Sequence, residues 1–462
     1  MNSKNPNKVP SSFRDPSGFV FRSGSLVYRQ VNKSYAREYE MLMSTGLFAE
    51  LLDKGLIVNH KEVRNKSFQD TYKILLLEQI PFLSYPYEWS FSQLKDAALL
   101  TIEIQKIALS YGMTLKDASA YNIQFLRGKP VLIDTLSFGI YETGEPWVAY
   151  KQFCQHFLAP LALMSKTDLR LNKLLEIYLD GIPLDLASRL LPGKTKLSLG
   201  LGIHLHFHAK GQQKYTDPSV IKKRRRGITK NQLLGIISSL QSTATALNLP
   251  QQKTVWGEYY NDTNYSKGAF QAKKKIVSGW IDKIKPKSVW DAGANDGTFS
   301  RLASEKGIFT VASDIDELAI ERSYLTIKKN NDKSLFPMIV DLTNPSPSIG
   351  WNNEERTAFV ERCNFDLSMC LAFIHHLAIA NNLPLSYIAQ LFAKTSKYLI
   401  IEFVPKQDSN TKRLLASRED IFPGYTIEGF EASFSEKFKI LKKEKIPGSH
   451  RIIHLMKVKG LK

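Results

Sequence analysis

The spacing of apolar positions changes near residue 255. Upstream, "GFVFRSGSLVYRQV" (18–31) alternates about a central Ser-Gly and predicts a β-hairpin. "SYAREYEMLMSTGLFAELLDKG" has apolar residues at helical spacing with Ser34 as its cap. "YKILLLEQI" reads as a short buried strand, and "SFSQLKDAALLTIEIQKIALSYG" as a long amphipathic helix stopped by a glycine. Beyond Phe138 the pattern is leucine-rich and mostly helical to about residue 210.

Downstream, strand-like and helix-like runs take turns. "KSVWDAGANDGTFSRLASEKGIFTVASDIDELAIERSYLTI" reads strand, glycine turn, helix, strand, acidic turn, helix. "FPMIVDL", "FDLSMCLAF", "KYLIIEFVP", "FKILKKEKI" and "RIIHLMKV" add further strands. Such alternation implies a parallel sheet covered by helices on both faces. The last two strands have no long helix between them and predict a closing antiparallel hairpin. The expected fold is therefore α/β: a doubly wound, mostly parallel C-terminal sheet joined to an N-terminal α+β domain. The expected domains are 1–210, a basic helical linker over 211–252, and 253–462.

Composition changes this picture little. At 462 residues, 43% hydrophobic and 23% charged, the chain has ordinary globular values and room for two or three cores. The N-terminal segment lacks the apolar core of a signal peptide, and no run of 18 apolar residues predicts a membrane span. Cys154, Cys363 and Cys370 have no metal-ligand spacing and fit a reducing compartment, so a soluble, cytoplasmic protein is expected. The net charge of +19 suits an anionic partner. Its densest run, "KKRRR" at 222–226, lacks interleaved aromatics and reads as a solvated linker rather than a nucleic-acid groove. His204, His206 and His208 would share one face of a strand but spread around a helix. With no carboxylate or cysteine near them, they predict a basic, partly buried surface segment and no metal site.

Candidate chemistry concentrates in "VWDAGANDGTFS". An apolar strand ends at Asp291, and Gly293 and Gly297 precede a helix, so the backbone can turn sharply and approach a ligand at the sheet's carboxyl edge. About twenty residues on, "ASDID" ends a second strand, where Asp314 can accept hydrogen bonds from both ribose hydroxyls. The dinucleotide pattern G-x-G-x-x-G is not met, because Ala294, Asn295 and Asp296 separate the two glycines.

Over roughly residues 255–462 these motifs resemble class I S-adenosylmethionine-dependent methyltransferases. The resemblance implies S-adenosylmethionine as cofactor, with Asp291, Gly293, Asn295 and Gly297 beneath its methionine part. It also implies Asp314 on the ribose, Asp341 of "IVDLTN" near the adenine, and Tyr265 of "WGEYYNDTNYS" as a wall over the cofactor. His375 and His376 follow the fourth strand of "FDLSMCLAFIHHL", and Glu402 ends the fifth; all three are candidate bases at the edge where the methyl acceptor belongs. No Asn/Asp-Pro-Pro-aromatic motif ends the fourth strand, and no nearby cysteine follows a proline. A small molecule or glycan, anionic in keeping with the charge, is the expected acceptor.

Residues 15–210 resemble the protein-kinase-like fold of small-molecule phosphotransferases, in "LKDASAYNIQFLRGKPVLIDTLSF" above all. The resemblance implies that Asp117 positions an acceptor hydroxyl, while Asn122 and Asp134 face magnesium and phosphate. Leu115 stands where a histidine is usual, no glycine follows Asp134, and Arg29 is the only cation at the strand-lysine position. The expectation is a recognition domain holding the acceptor through Asp117, Asn122 and Asp134. A bifunctional kinase–methyltransferase and an RNA or other nucleic-acid methyltransferase remain as alternatives.

Overall fold

The computed structural model describes residues 7–64, 68–207, 227–250, 266–416 and 419–460. The chain forms two compact units, Met1–Gln252 with Ile349–Arg356, and Lys253–Ser348 with Thr357–Lys462.

The first unit opens with a five-stranded antiparallel sheet. β1 (Asn7–Lys8), β2 (Gly18–Ser23), β3 (Leu26–Asn32), β4 (His60–Val63) and β5 (Thr71–Leu77) lie in the order β1-β2-β3-β5-β4. The expected hairpin is β2–β3: Gly24 takes a left-handed φ of 62° in its turn, and the paired Phe21 and Tyr28 rings stack at 5.3 Å. The single helix expected after it is instead two, Ala36–Ser44 and Leu47–Asp53, because Gly46 at φ 88° breaks the run. Ser34 caps neither helix; its hydroxyl donates to the Pro16 carbonyl. The long helix Phe91–Ser110 begins at a reciprocal Ser90–Gln93 capping box. Two short antiparallel pairs follow, β6 (Met113–Leu115) with β9 (Phe138–Ile140), and β7 (Ile123–Leu126) with β8 (Lys129–Leu132).

The helix Lys230–Ala246, expected within a linker, belongs to this unit. It buries Leu233, Ile237, Leu240 and Ala244, and Lys95 and Lys106 of the long helix donate to the Thr245 carbonyl and to Gln241. The segment Ile349–Arg356 belongs to the unit too: Arg14 forks onto Glu355, and the Arg356 guanidinium lies 4.2 Å from the centre of the Tyr121 ring. The "KKRRR" run and His208 lie outside the described residues.

The second unit is one seven-stranded sheet. β10 (Ser288–Ala292), β11 (Phe309–Asp314), β12 (Leu335–Ile339), β13 (Phe365–Cys370) and β14 (Ser396–Phe403) are parallel. β15 (Phe438–Lys445) and β16 (Ile452–Val458) make the expected terminal hairpin, with β16 inserted antiparallel beside β14. The order β12-β11-β10-β13-β14-β16-β15 is that of the class I methyltransferase fold. Pro337, which cannot donate to a ladder, sits on edge strand β12.

Successive residues of β10 serve opposite faces. Val289 joins Val277, Trp280 and Ile281 of the helix Lys267–Ile284 in one core layer. Trp290 packs on the other side, its ring centroid 5.6 Å from that of Phe392 in the helix Leu385–Thr395. From central β10 the chain moves outward through β11 and β12, then crosses back to β13. The winding direction therefore reverses between β10 and β13, and the crevice at their carboxyl ends is the place where such sheets bind ligands.

Candidate cofactor site

A cavity of about 290 Å³ opens at that switch point. Asp291, Gly293 and Asn295 enter it from the end of β10, Asp314 from β11, Asp341 and Thr343 from the segment after β12, and Phe373 and His376 from the segment after β13. Gly293 has φ 75°, and a Cβ there would stand 2.6 Å from Phe373 Cγ. Only a glycine leaves the backbone bare against the space beside Phe373. Gly297, at φ 80°, has a different role: its absent Cβ faces Ser323 and Arg301, so it permits close packing and does not line the cavity.

The three acids expected at the cofactor are together. Asp314 accepts from the backbone N–H groups of Asn295 at 2.8 Å and Asp316 at 3.0 Å, which fixes its carboxylate at the strand end. Burial raises its pKa. Asp341 accepts from both the N–H and the hydroxyl of Thr343. Asp291 accepts from the Ser300 hydroxyl at 2.6 Å, and burial pushes its pKa up to about 6. Tyr265 lies outside the described residues.

Charge completes the site. Lys273 is the only Lys or Arg lining the cavity among the described residues. It comes from the helix Lys267–Ile284, is itself buried, and meets Glu402 at 2.6 Å. Arg451 reaches Glu402 at 3.4 Å and forks onto Asp408 at 2.7 and 3.0 Å. Two cations and two carboxylates thus neutralise one another, with Lys273, Glu402 and Arg451 buried and Asp408 at the partly exposed end. Lys273 does not stand out in the sequence, although Ala269, Lys273 and Val277 share a buried i, i+4 stripe that places a lysine where an apolar residue belongs. Asn381, another lining residue, carries no sequence signal.

The three candidate bases separate. His376 lines the cavity, and burial together with Arg413 and Arg451 lowers its pKa to about 4, so its imidazole is neutral at physiological pH. His375 does not line the cavity: it is fully buried, and burial and the neighbouring His376 hold its pKa well below the usual value. That position, fully buried and outside the lining, argues against the second base expected there. The same holds for Glu402, because it is fully buried outside the lining and bound to Lys273 and Arg451.

S-adenosylmethionine carries a ribose, a sulfonium cation and an amino acid with both charges. Acids at the ends of β10 and β11, one lysine and a bare glycine turn fit that set. The charged form of Asp291 favours a cationic ligand, so affinity for the cofactor is expected to be full above pH 6 and to fall as pH drops through about 6. Calorimetry between about pH 5 and 8 should show a loss of up to about tenfold per pH unit on the acid side. A flat profile would remove Asp291 from cofactor binding.

In the first unit, Asn122 and Asp134 are joined through the Ser137 hydroxyl, while the Asp117 carboxylate has separate partners. Asn122 donates to the Ser137 hydroxyl at 3.2 Å, and Ser137 donates to Asp134 at 2.9 Å. Asp117 accepts from Ser119 N–H and from Gln152. Arg29 meets Asp134 at 2.9 Å and Asp15 at 3.3 Å. Among the described residues no group of three or more His, Cys, Asp or Glu side chains is arranged to hold a metal ion. His204 and His206 are buried and bonded to hydroxyls: His204 to Tyr150 and Ser239, His206 to Ser188 and Thr195. They belong to the interior of the unit, deeper than the surface segment expected.

No family model matches the chain. Nodulation protein NoeA from Rhizobium meliloti (strain 1021) is 35% identical over 461 residues, covering 97% of this chain and 96% of that protein. Among solved structures, the magnesium protoporphyrin IX methyltransferase ChlM from Synechocystis PCC 6803, with bound SAH, is 16% identical at TM-score 0.31, over 44% of this chain and 92% of its own. The N-methyltransferase NodS from Bradyrhizobium japonicum WM9 is 12% identical at TM-score 0.31, over 42% of this chain and 98% of its own. The bifunctional kinase-methyltransferase WbdD is 13% identical at TM-score 0.31, over 44% of this chain and 41% of its own. At such scores the strand order, not superposition, assigns the fold. By that order the second unit has the fold of class I S-adenosylmethionine-dependent methyltransferases, and its cavity presents residues that fit their cofactor.

Proposed function

The chain belongs to the family of nodulation protein NoeA, and we propose that it methylates a small-molecule or glycan acceptor held by its first unit. The observation that carries the reading is the cavity at the sheet's switch point, where Gly293, Asp314 and Lys273 converge. S-adenosylmethionine supplies an electrophilic methyl group on a sulfonium. Lys273 answers the cofactor's carboxylate, Asp314 its ribose hydroxyls and Asp341 its adenine end. His376, neutral above its pKa of about 4, is a weak base, and its part is to accept a hydrogen bond from an acceptor heteroatom and orient it. Alignment of the acceptor with the sulfonium supplies much of the remaining rate.

The first unit supports a kinase-like scaffold used for recognition. Its five-stranded sheet has helices between β3 and β4, and its long helix leads into two short antiparallel pairs, β6–β9 and β7–β8, with Asp117, Asn122 and Asp134 in the segments that connect them. The carboxylate that a phosphotransferase gives to magnesium is here paired with Arg29. Glu40, on the helix after β3, bonds to Tyr72 instead of a strand lysine. The nucleic-acid alternative rests on the "KKRRR" run, which lies outside the described residues.

The test is transfer of label from S-adenosylmethionine into fractionated cell extract. Wild type should label an acceptor that is not nucleic acid, and no magnesium-dependent ATP turnover should accompany it. Asp117→Ala and Asn122→Ala should raise the acceptor KM while cofactor affinity stays unchanged. ATP turnover that disappears in Asp134→Ala would establish the bifunctional enzyme instead.

A further inference from the structure

The first unit contains a helical segment that is apolar on the wrong side. The helix Leu199–Leu201 runs into the π-helical turn Gly202–Phe207. Its inward face holds Leu201 and Leu205, but also His204 and His206, each bonded to two hydroxyls. Its outward face holds Leu199, Ile203 and Phe207, spaced four apart and 79%, 46% and 69% exposed. Leu197, on the preceding turn Gly193–Leu197, is 90% exposed. Thr195 points inward to His206, which ties this turn to the helix, while Lys194 and Lys196 on either side of it are exposed. Large apolar side chains thus stand on the outward face as well as the inward one, unlike an ordinary amphipathic helix, whose outward face is polar. An apolar surface of this kind, rimmed by charge, marks an interaction site.

The charge around the stripe selects the partner. From Leu186 to Thr216 the sequence contains no acidic residue; in the described portion of that span Arg189 is paired with Asp185, which leaves Lys194 and Lys196 as the exposed cations beside the stripe. Large apolar side chains next to cations, with no anion interspersed, suit the boundary between anionic headgroups and acyl chains. No helix among the described residues is long and apolar enough to cross a membrane, so the contact would lie along the surface. We propose that Leu197, Leu199, Ile203 and Phe207, with Lys194 and Lys196, form a docking surface for an anionic lipid bilayer.

The test is co-sedimentation of the full chain with phosphatidylglycerol-containing vesicles and with neutral phosphatidylcholine vesicles. Wild type should pellet with the anionic vesicles and stay in solution with the neutral ones, and added salt should weaken the binding. Leu199→Gln/Phe207→Gln and Lys194→Glu/Lys196→Glu should each weaken it by about tenfold or more. Because all four residues are exposed, both variants should keep wild-type affinity for S-adenosylmethionine. Wild type that ignores anionic vesicles, or variants that pellet like wild type, would overturn the proposal. So would a dimer that Leu199→Gln/Phe207→Gln splits while vesicles stay unbound, since a second copy would then cover the stripe.

Discussion

Gly293→Val is expected to abolish binding of S-adenosylmethionine. The left-handed φ of 75° already penalises a branched residue, and the new Cβ would stand 2.6 Å from Phe373 Cγ and 2.9 Å from Cδ2. The strain is of order 1–3 kcal/mol, and relief requires moving Phe373 or the turn, both of which line the cavity. A loss of at least about 100-fold in affinity, near 3 kcal/mol, should appear by calorimetry. Far-UV dichroism should stay close to wild type, because β10 and its ladder partners do not include Gly293. Undiminished affinity in a folded Gly293→Val protein would place the cofactor elsewhere.

Lys273→Met should have the largest effect on stability. Removing this ammonium leaves Glu402 fully buried, with Arg451 shared between it and the partly exposed Asp408, an excess of one negative charge. Breaking a buried pair from one side costs about 3–5 kcal/mol. For a unit of this size that corresponds to a fall of roughly 6–20 °C in Tm. Lys273→Met/Glu402→Leu removes both partners and retains the Arg451–Asp408 fork, so it should recover much of the loss. Cofactor affinity should stay low in both variants, because both lack the cation that faces the cavity. A single variant as stable as wild type would show that the network is not stabilised by this pair.

Sequence reasoning reaches the regions of the site that depend on local geometry. The turn after Asp291 and the acid about twenty residues later are written in consecutive residues, and a strand end followed by glycine leaves few backbone alternatives. It fails where a neighbour in space decides. Glu402 lies at the end of β14 and His376 shortly after β13, yet only His376 faces the cavity. Glu402 sits opposite Ile453 of β16 and is drawn to Lys273, and no local pattern announces that β16 enters between β14 and β15. His375 and His376 are adjacent, so one turns inward as the other faces the cavity. The helix after β3 is broken by Gly46, a position where glycine is tolerated in a helix and only its φ of 88° shows the turn. His204 and His206 escape a spacing argument because the π-helical turn moves its inward face away from that of a regular helix. Arg29, a weak substitute for a lysine at its strand position, instead pairs with Asp134 across the unit.

The measurement that bears most directly on the central claim is calorimetric titration of the full chain with S-adenosylmethionine and, separately, with NAD. One S-adenosylmethionine per chain, lost in Gly293→Val and weakened in Asp314→Ala by about 1.5–3 kcal/mol, with no heat from NAD, is the expected result. Tight binding of NAD, or cofactor affinity that is unchanged in both variants, would contradict the assignment.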